Sequence, residues 1–223
     1  MIYVNGDSYS ITNGKNYGDY LSESTGNPLL HKGIPGSSNS RILRTTARDL
    51  LKLKQQGVTD CSVIVGLSFW FRTELWIDEH GIDKWYQHSF DDGEFASFQA
   101  VYNNDWFTKG PTLKKVPKEY QAYLREWVLT RNTDAVFVDI MHQASLLKHL
   151  CNSLGYKFII FWSADVTEDT RRIDPNLDAL KDFYAEFDQS NSFNLLDYSF
   201  SNYYNNIRKP YDFELYGNAG HPD

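Results

Sequence analysis

Small polar residues directly follow the apolar runs of this sequence. Positions of this kind often carry the side chains that perform nucleophilic chemistry. A serine hydroxyl attacks well only when a neighbouring base accepts its proton, and histidine titrates in the right range for that exchange. Ligands of open α/β sheets bind beyond the carboxyl ends of the strands, so the residues directly after each run are the candidates for a site. They are Gly6-Asp7-Ser8, Gly36-Ser37-Ser38-Asn39, Gly66-Leu67-Ser68 and, near the end, His221-Pro222. Whether they meet depends on the elements that carry them.

Strands and helices alternate along the sequence. Apolar runs predict strands at 2–4, 29–34, 61–67 and 157–162. Helical spacing predicts helices at 15–24, 42–53, 118–129, 133–154 and 175–187, the second capped by Ser38 or Asn39. The repeated strand, helix and strand favour right-handed crossovers. We therefore expect an α/β fold of three layers, α/β/α, with a central parallel, flavodoxin-like sheet of about five strands.

The segment from 69 to about 117 interrupts this alternation. It is dense in aromatic residues, Asp and Gly and has no long period. We interpret it as an irregular insertion in a single domain that spans residues 1–223. Its aromatic side chains would form a lid or a substrate wall, or a secondary core for the insertion, and the two roles are compatible.

Composition excludes several classes of function. The formal charge of −7 and the scattered basic residues disfavour nucleic-acid binding. No apolar stretch approaches the roughly 20 residues that span a bilayer, so no membrane partner is expected. The opening residues lack a basic leader and a long apolar run, which predicts no signal peptide. Cys61 and Cys151 lie in apolar surroundings and are interpreted as small buried side chains without a disulfide.

The order of these segments resembles the SGNH (GDSL) hydrolase family. That family has Gly-Asp-Ser near the N-terminus, Gly after strand two, Gly-x-Asn-Asp after strand three and Asp-x-x-His-Pro near the C-terminus. The landmarks extend over almost the whole chain, and Tyr3-Val4-Asn5-Gly6-Asp7-Ser8 is the most specific of them. The resemblance implies a serine esterase with Ser8 as nucleophile and His221 as base. It also implies an oxyanion hole formed by the Ser8 and Gly36 N–H groups and a side chain after strand three.

Two positions depart from the family pattern. Ser68 stands where the family has Asn, so a shorter hydroxyl would have to be the third oxyanion donor. Asn218 stands where the family has Asp, and it cannot stabilise an imidazolium by charge. Asn218 would only orient His221, or the site is a Ser-His dyad, or activity has been lost. Other acids that would serve instead are Asp212, Glu214 and Asp223.

Four further residues are candidates for substrate binding: Asp7, Asn39, Arg72 and Glu74. The stretch from Ser68 to Glu74 resembles a variant third block of phage-encoded SGNH-like proteins. Arg72 would bind a carboxylate or a sugar oxygen with Glu74 holding it, unless the two form a structural ion pair. The resemblance implies ester hydrolysis without a cofactor. The aromatic-rich insertion suits sugar faces, so an O-acetyl group on a carbohydrate is the preferred substrate, and a short acyl ester or thioester would fit the same machinery. The resemblance is compatible with a cytoplasmic or virion-associated protein.

Several alternatives stay open. Asp139-Ile140-Met141-His142 also spells Asp-x-x-His, but lies inside a predicted helix and lacks the following Pro. His142 and His149 are too far apart on that helix to share a metal, so no metal is predicted. A binding or structural module with lost catalysis, as in a phage particle, is the main alternative function. A flavin or nucleotide binder is disfavoured, because the first loop lacks a run of glycines. The family usually continues into a closing helix, so a truncated C-terminus is one interpretation.

Overall fold

Short apolar runs build a parallel sheet at the centre of the fold. The computed structural model describes residues 1–7, 10, 15–34, 37–68, 72–76, 95–99 and 132–163. Its strands are β1 (Ile2–Asn5), β2 (Leu29–His31), β3 (Ser62–Leu67), β4 (Arg72–Trp76), β5 (Phe95–Gln99) and β6 (Lys157–Trp162). Four of these described strands form one sheet in the order β2-β1-β3-β6, and all of its pairs are parallel.

Helices cover both faces of this sheet, which follows from the alternation of side chains along each strand. In the described ranges the helices are α1 (Tyr17–Thr25), α2 (Asn39–Gln55) and α3 (Thr133–Leu154). Tyr3 and Val63 lie on the face that packs against α2 and α3, in the larger core. Val4 and Ile64 lie on the opposite face, which packs against Tyr17 of α1. The predicted α/β fold with three layers is therefore confirmed, with four described strands of the five expected.

The ends of the helices are set by local hydrogen bonds. The Ser38 side chain caps α2 by accepting from the N–H of Arg41 at 3.2 Å, as one of the two predicted caps. Asn16 caps α1 in a capping box, so this helix begins two residues later than predicted from spacing alone. Asn132 caps α3, which ends at Gly155 with a φ of 76°, and this helix has the predicted bounds.

The insertion contains regular structure that the sequence did not reveal. β4 and β5 form a two-stranded antiparallel sheet, with Arg72 opposite Gln99 and Trp76 opposite Phe95. The prediction of an irregular segment was wrong for these residues. Each strand is too short to show a clear period, and a long connection separates the two. The rest of the insertion and the predicted helices at 118–129 and 175–187 lie outside the described residues.

Two further predictions concern burial and membranes. Cys61 and Cys151 are both free thiols and are fully buried, as predicted. Burial raises the pKa of the Cys151 thiol to about 12, which suits a side chain that serves as core packing. In the part of the chain that the structure describes, no helix combines the length and the apolar character needed to cross a bilayer.

Candidate functional site

The strand order creates one place where a crevice is expected. From β1 the chain moves to β2 on one side and then returns to β3 on the other, with α1 and α2 on opposite faces of the sheet. In this strand order, ligands bind at the carboxyl ends of the two strands between which the direction reverses. Those strands are β1 and β3, and Asp7 and Ser68 lie just beyond them. Two of the predicted site segments therefore meet at this point.

A buried hydrogen bond joins the two segments. The Ser68 hydroxyl donates to Oδ2 of Asp7 at 2.7 Å, across 61 residues of sequence, and both side chains are fully buried. A hydroxyl has a single hydrogen, and here it is committed to a carboxylate. In this structure the Ser68 hydroxyl is directed at Asp7, and its role as the third oxyanion donor stays a prediction. The structure gives Ser68 the task of holding Asp7, the residue before Ser8.

Asn39 fixes Ser68 from the other side. Its Oδ1 accepts from the Ser68 backbone N–H at 2.7 Å, and its Nδ2 donates to the Ser68 carbonyl at 3.0 Å. Asn39 is the first residue of α2, and its side chain is fully buried. Asp7, Ser68 and Asn39 thus tie the ends of β1 and β3 to the start of α2. Asp7 and Asn39 are both buried and make these internal bonds, which suit a positioning role, and substrate binding by either residue stays a prediction.

Asn5, which the sequence did not single out, anchors the end of β1 to α2. Its Nδ2 lies 3.1 Å from the carbonyl of Ile42 and 3.0 and 2.9 Å from the hydroxyls of Thr45 and Thr46. Its Oδ1 accepts from the N–H of Gly6 at 2.9 Å. The sequence analysis named Asn5 only as one residue of the motif Tyr3-Val4-Asn5-Gly6-Asp7-Ser8, and this did not identify its partners.

Ser10, three residues after Asp7, makes hydrogen bonds to three other residues. Its N–H donates to the Asp7 carbonyl at 3.0 Å, and its carbonyl accepts from Nε2 of His31 at 2.7 Å. Its hydroxyl is 3.0 Å from the Tyr17 hydroxyl. Burial raises the pKa of Tyr17, with the charge of Asp7 adding to the effect against the opposing hydrogen bond from Ser10. Tyr17 therefore stays protonated at neutral pH. No pattern in the sequence indicated this arrangement.

Two glycines leave the room that Ser10 needs. A Cβ on Gly6 would collide with the Ser10 hydroxyl. A Cβ on Gly66 would lie 2.5 Å from the Ser163 hydroxyl and 3.1 Å from that of Ser10. Ser163 directly follows β6, and its N–H donates to the carbonyl of Leu67 at 2.7 Å. Glycine at positions 6 and 66 is thus required by close packing at the carboxyl ends of three strands.

The remaining predicted residues lie outside the described part of the structure or on a strand of which the backbone is described. Ser8, Gly36, Asn218 and His221 lie outside the described residues. Arg72 and Glu74 lie on β4, opposite Gln99 and Ser97, where the structure describes the backbone.

The alternative Asp-x-x-His pair lies on the surface of α3. Asp139 and His142 are both exposed, and the Asp139 carboxylate accepts from Nε2 of Gln143 at 2.7 Å. The described ranges contain no group of three His, Cys, Asp or Glu side chains arranged as metal ligands. No protein-family model matches this chain, and neither does any curated protein.

Proposed function

We propose that this protein is a serine esterase of the SGNH (GDSL) type that cleaves a small ester through an acyl-serine intermediate. The observation that supports this best is the buried hydrogen bond between Ser68 and Asp7. It fixes the residue before Ser8 at the carboxyl ends of β1 and β3, where this strand order favours a ligand crevice. The fold alone would not support an activity, because folds of this kind host many functions.

The proposed reaction follows from these residues. The Ser8 hydroxyl attacks the ester carbonyl carbon while His221 accepts its proton, and the N–H groups of Ser8 and Gly36 bind the oxyanion. Collapse expels the alcohol, which takes the proton back from His221, and water then hydrolyses the acyl-serine. Asn218 orients His221, unless a nearby acid does so or the pair acts as a dyad.

The hydrogen bond between Ser68 and Asp7 also sets an expectation for the rate. With the Ser68 hydrogen committed to Asp7, two backbone donors serve the oxyanion. Loss of one such donor costs roughly 10²- to 10³-fold in kcat in a well-studied protease. We therefore expect a slow esterase.

The proposed substrate is an O-acetyl group on a carbohydrate or another short acyl ester. The aromatic side chains of the insertion suit the apolar faces of sugars. Arg72 and Glu74 remain candidates for binding a sugar oxygen or a carboxylate. We propose that the reaction needs no cofactor, and that the protein acts in the cytoplasm or on a virion.

The test is covalent labelling with a fluorophosphonate, which traps activated serines. Intact mass and peptide mapping should show one adduct, at Ser8, together with slow hydrolysis of p-nitrophenyl acetate. Ser8→Ala should abolish both, whereas Ser24→Ala should change neither, because Ser24 is an exposed residue of α1. No adduct on the wild-type protein, or one on another serine, would contradict the proposal.

A second candidate is a carbohydrate-binding or structural module with this fold and without efficient catalysis, as in a phage particle. The observation in its favour is again that the Ser68 hydrogen is donated to Asp7. In that case the fluorophosphonate would not react, and binding to an acetylated glycan array would be equal in the wild-type protein and in Ser8→Ala.

A further inference from the structure

We propose that Tyr17 and His31 are positioning residues that, through Ser10, hold the segment of residues 7–10 that carries Ser8. The inference rests on the proposed function, since it concerns the segment that carries Ser8. Ser10 is fully buried, and its three polar groups each have a partner: the Asp7 carbonyl, the His31 ring and the Tyr17 hydroxyl. The chain on either side of positions 8 and 9 is therefore fixed by residues from other elements.

His31 contributes a donor from the end of β2. Its backbone is set by the parallel pairing of β2 with β1, which places His31 opposite Val4. A carbonyl oxygen only accepts, so the 2.7 Å contact with Ser10 requires a hydrogen on Nε2 of His31. Nε2 of His31 is thus occupied as the donor to Ser10, which suits a positioning residue and not a base acting through this atom.

Tyr17 contributes from the first turn of α1. The capping box of Asn16 and Asp19 fixes the start of the helix, and the Tyr17 ring meets Phe161 edge-on at a centroid distance of 5.7 Å. The hydroxyl of Tyr17 is thereby held 3.0 Å from that of Ser10. The contact of the Tyr17 ring with Phe161 and the cap of α1 thus determine the position of the Tyr17 hydroxyl beside Ser10.

The packing around Ser10 leaves little room for it to move. Gly6 and Gly66 accommodate its hydroxyl only because neither has a Cβ. The hydrogen bond from the Ser10 N–H to Asp7 then transmits this position to the residue next to Ser8. A misplacement of a reacting group by about 1 Å can cost on the order of 10²-fold in rate. Contacts two residues from the nucleophile are close enough to have such an effect.

The experiment compares three variants with matched controls. Tyr17→Phe removes the hydroxyl, His31→Leu removes the donor, and His31→Gln keeps an N–H donor at a similar reach. Tyr20→Phe and His142→Gln are the controls, because both residues are exposed on helices and lie outside the Ser10 contacts. The rate of fluorophosphonate labelling at Ser8, kcat and KM for p-nitrophenyl acetate, the pH profile and the Tm are measured for each.

Tyr17→Phe and His31→Leu should lower the labelling rate and kcat by about 10- to 100-fold, with KM within about twofold of wild type. His31→Gln should recover most of the loss without moving the midpoint of the pH profile. Wild-type rates in Tyr17→Phe and His31→Leu, with Ser8 still labelled, would overturn this inference but not the proposed function. A loss in His31→Gln equal to that in His31→Leu, with a shifted midpoint, would also overturn it, because His31 would then act as a base.

A second readout does not depend on catalysis. Amide hydrogen exchange of Ser10 reports its N–H bond to Asp7, and it should accelerate at least tenfold in Tyr17→Phe and His31→Leu but not in the controls. Unchanged exchange would overturn the inference whatever the activities are. An unlabelled wild-type protein would instead refute the proposed function, and the catalytic positioning role would fall with it.

Discussion

At the scale of single residues, the site depends on side chains that satisfy one another out of contact with solvent. A buried carboxylate is costly unless donors surround it, and Ser68 supplies one to Asp7. Asn39 in turn binds both backbone groups of Ser68. Ser68 therefore has a structural role, because its hydrogen bond joins the end of β3 to the end of β1.

Ser68→Ala should lower the free energy of unfolding by about 1–3 kcal/mol, because it takes a donor from a buried charged acceptor. Urea denaturation monitored by circular dichroism measures this. Ser62→Ala, at the half-buried start of β3, should change the free energy by less than about 0.5 kcal/mol. Equal effects of the two substitutions would argue against the contact with Asp7.

Gly66→Ala should destabilise the protein by about 1–3 kcal/mol, because the added methyl would lie 2.5 Å from the Ser163 hydroxyl. Removal of that hydroxyl in the double variant Gly66→Ala with Ser163→Ala should restore part of the loss. A double-mutant cycle by urea denaturation measures the recovery, and additive effects of the two changes would show that the residues do not meet.

At the scale of elements, the sequence predicted most of what is local. α3 has the predicted bounds, because its apolar stripe is long and both of its ends carry a residue with a clear capping role. β4 and β5 were missed, because five residues are too few to establish a period. The contacts of Ser68 with Asp7 and of His31 with Ser10 could not be predicted either. They depend on which strands become neighbours, and no pattern along the chain encodes that.

Asn16→Ala should cost about 1 kcal/mol of stability, because it removes the side chain that accepts from the N–H groups of Gly18 and Asp19 at the start of α1. Thermal and urea unfolding measure the loss. The matched control is Asn27→Ala, an exposed asparagine beyond the end of the same helix. A loss of similar size in the control would show that the cap is not responsible.

At the scale of the whole molecule, burial of two thiols and a tyrosine hydroxyl makes the free energy of unfolding depend on pH in the alkaline range. Burial raises the pKa of the Cys151 thiol from 9.0 to about 12, and it also raises the pKa values of Cys61 and Tyr3. Above the unfolded pKa, the unfolded chain has released these protons while the folded chain still holds them. The unfolded state therefore binds fewer protons, and the free energy of unfolding falls as pH rises.

We accordingly expect stability to be constant with respect to these groups below about pH 8 and to decline from about pH 9 upwards. Urea unfolding at pH 7.5, 9 and 10.5 measures the slope. Cys151→Val should make the decline shallower, because it removes the thiol with the raised pKa. A free energy of unfolding that is unchanged up to pH 10.5 would contradict the burial of these groups.

The central place of β1 in the sheet has a consequence for how the molecule assembles. Among the described strands, β1 precedes its two neighbours β2 and β3 in the chain, and β6 joins β3 only after a much longer stretch of chain. Parallel pairs of this kind require long loops to close, and the chain loses conformational entropy before the stabilising contacts form. Folding should therefore be slow for a protein of this size. During synthesis, the edge of β1 that pairs with β3 must therefore stay unpaired until β3 has emerged, and a chaperone would find apolar residues of β1 exposed during that interval.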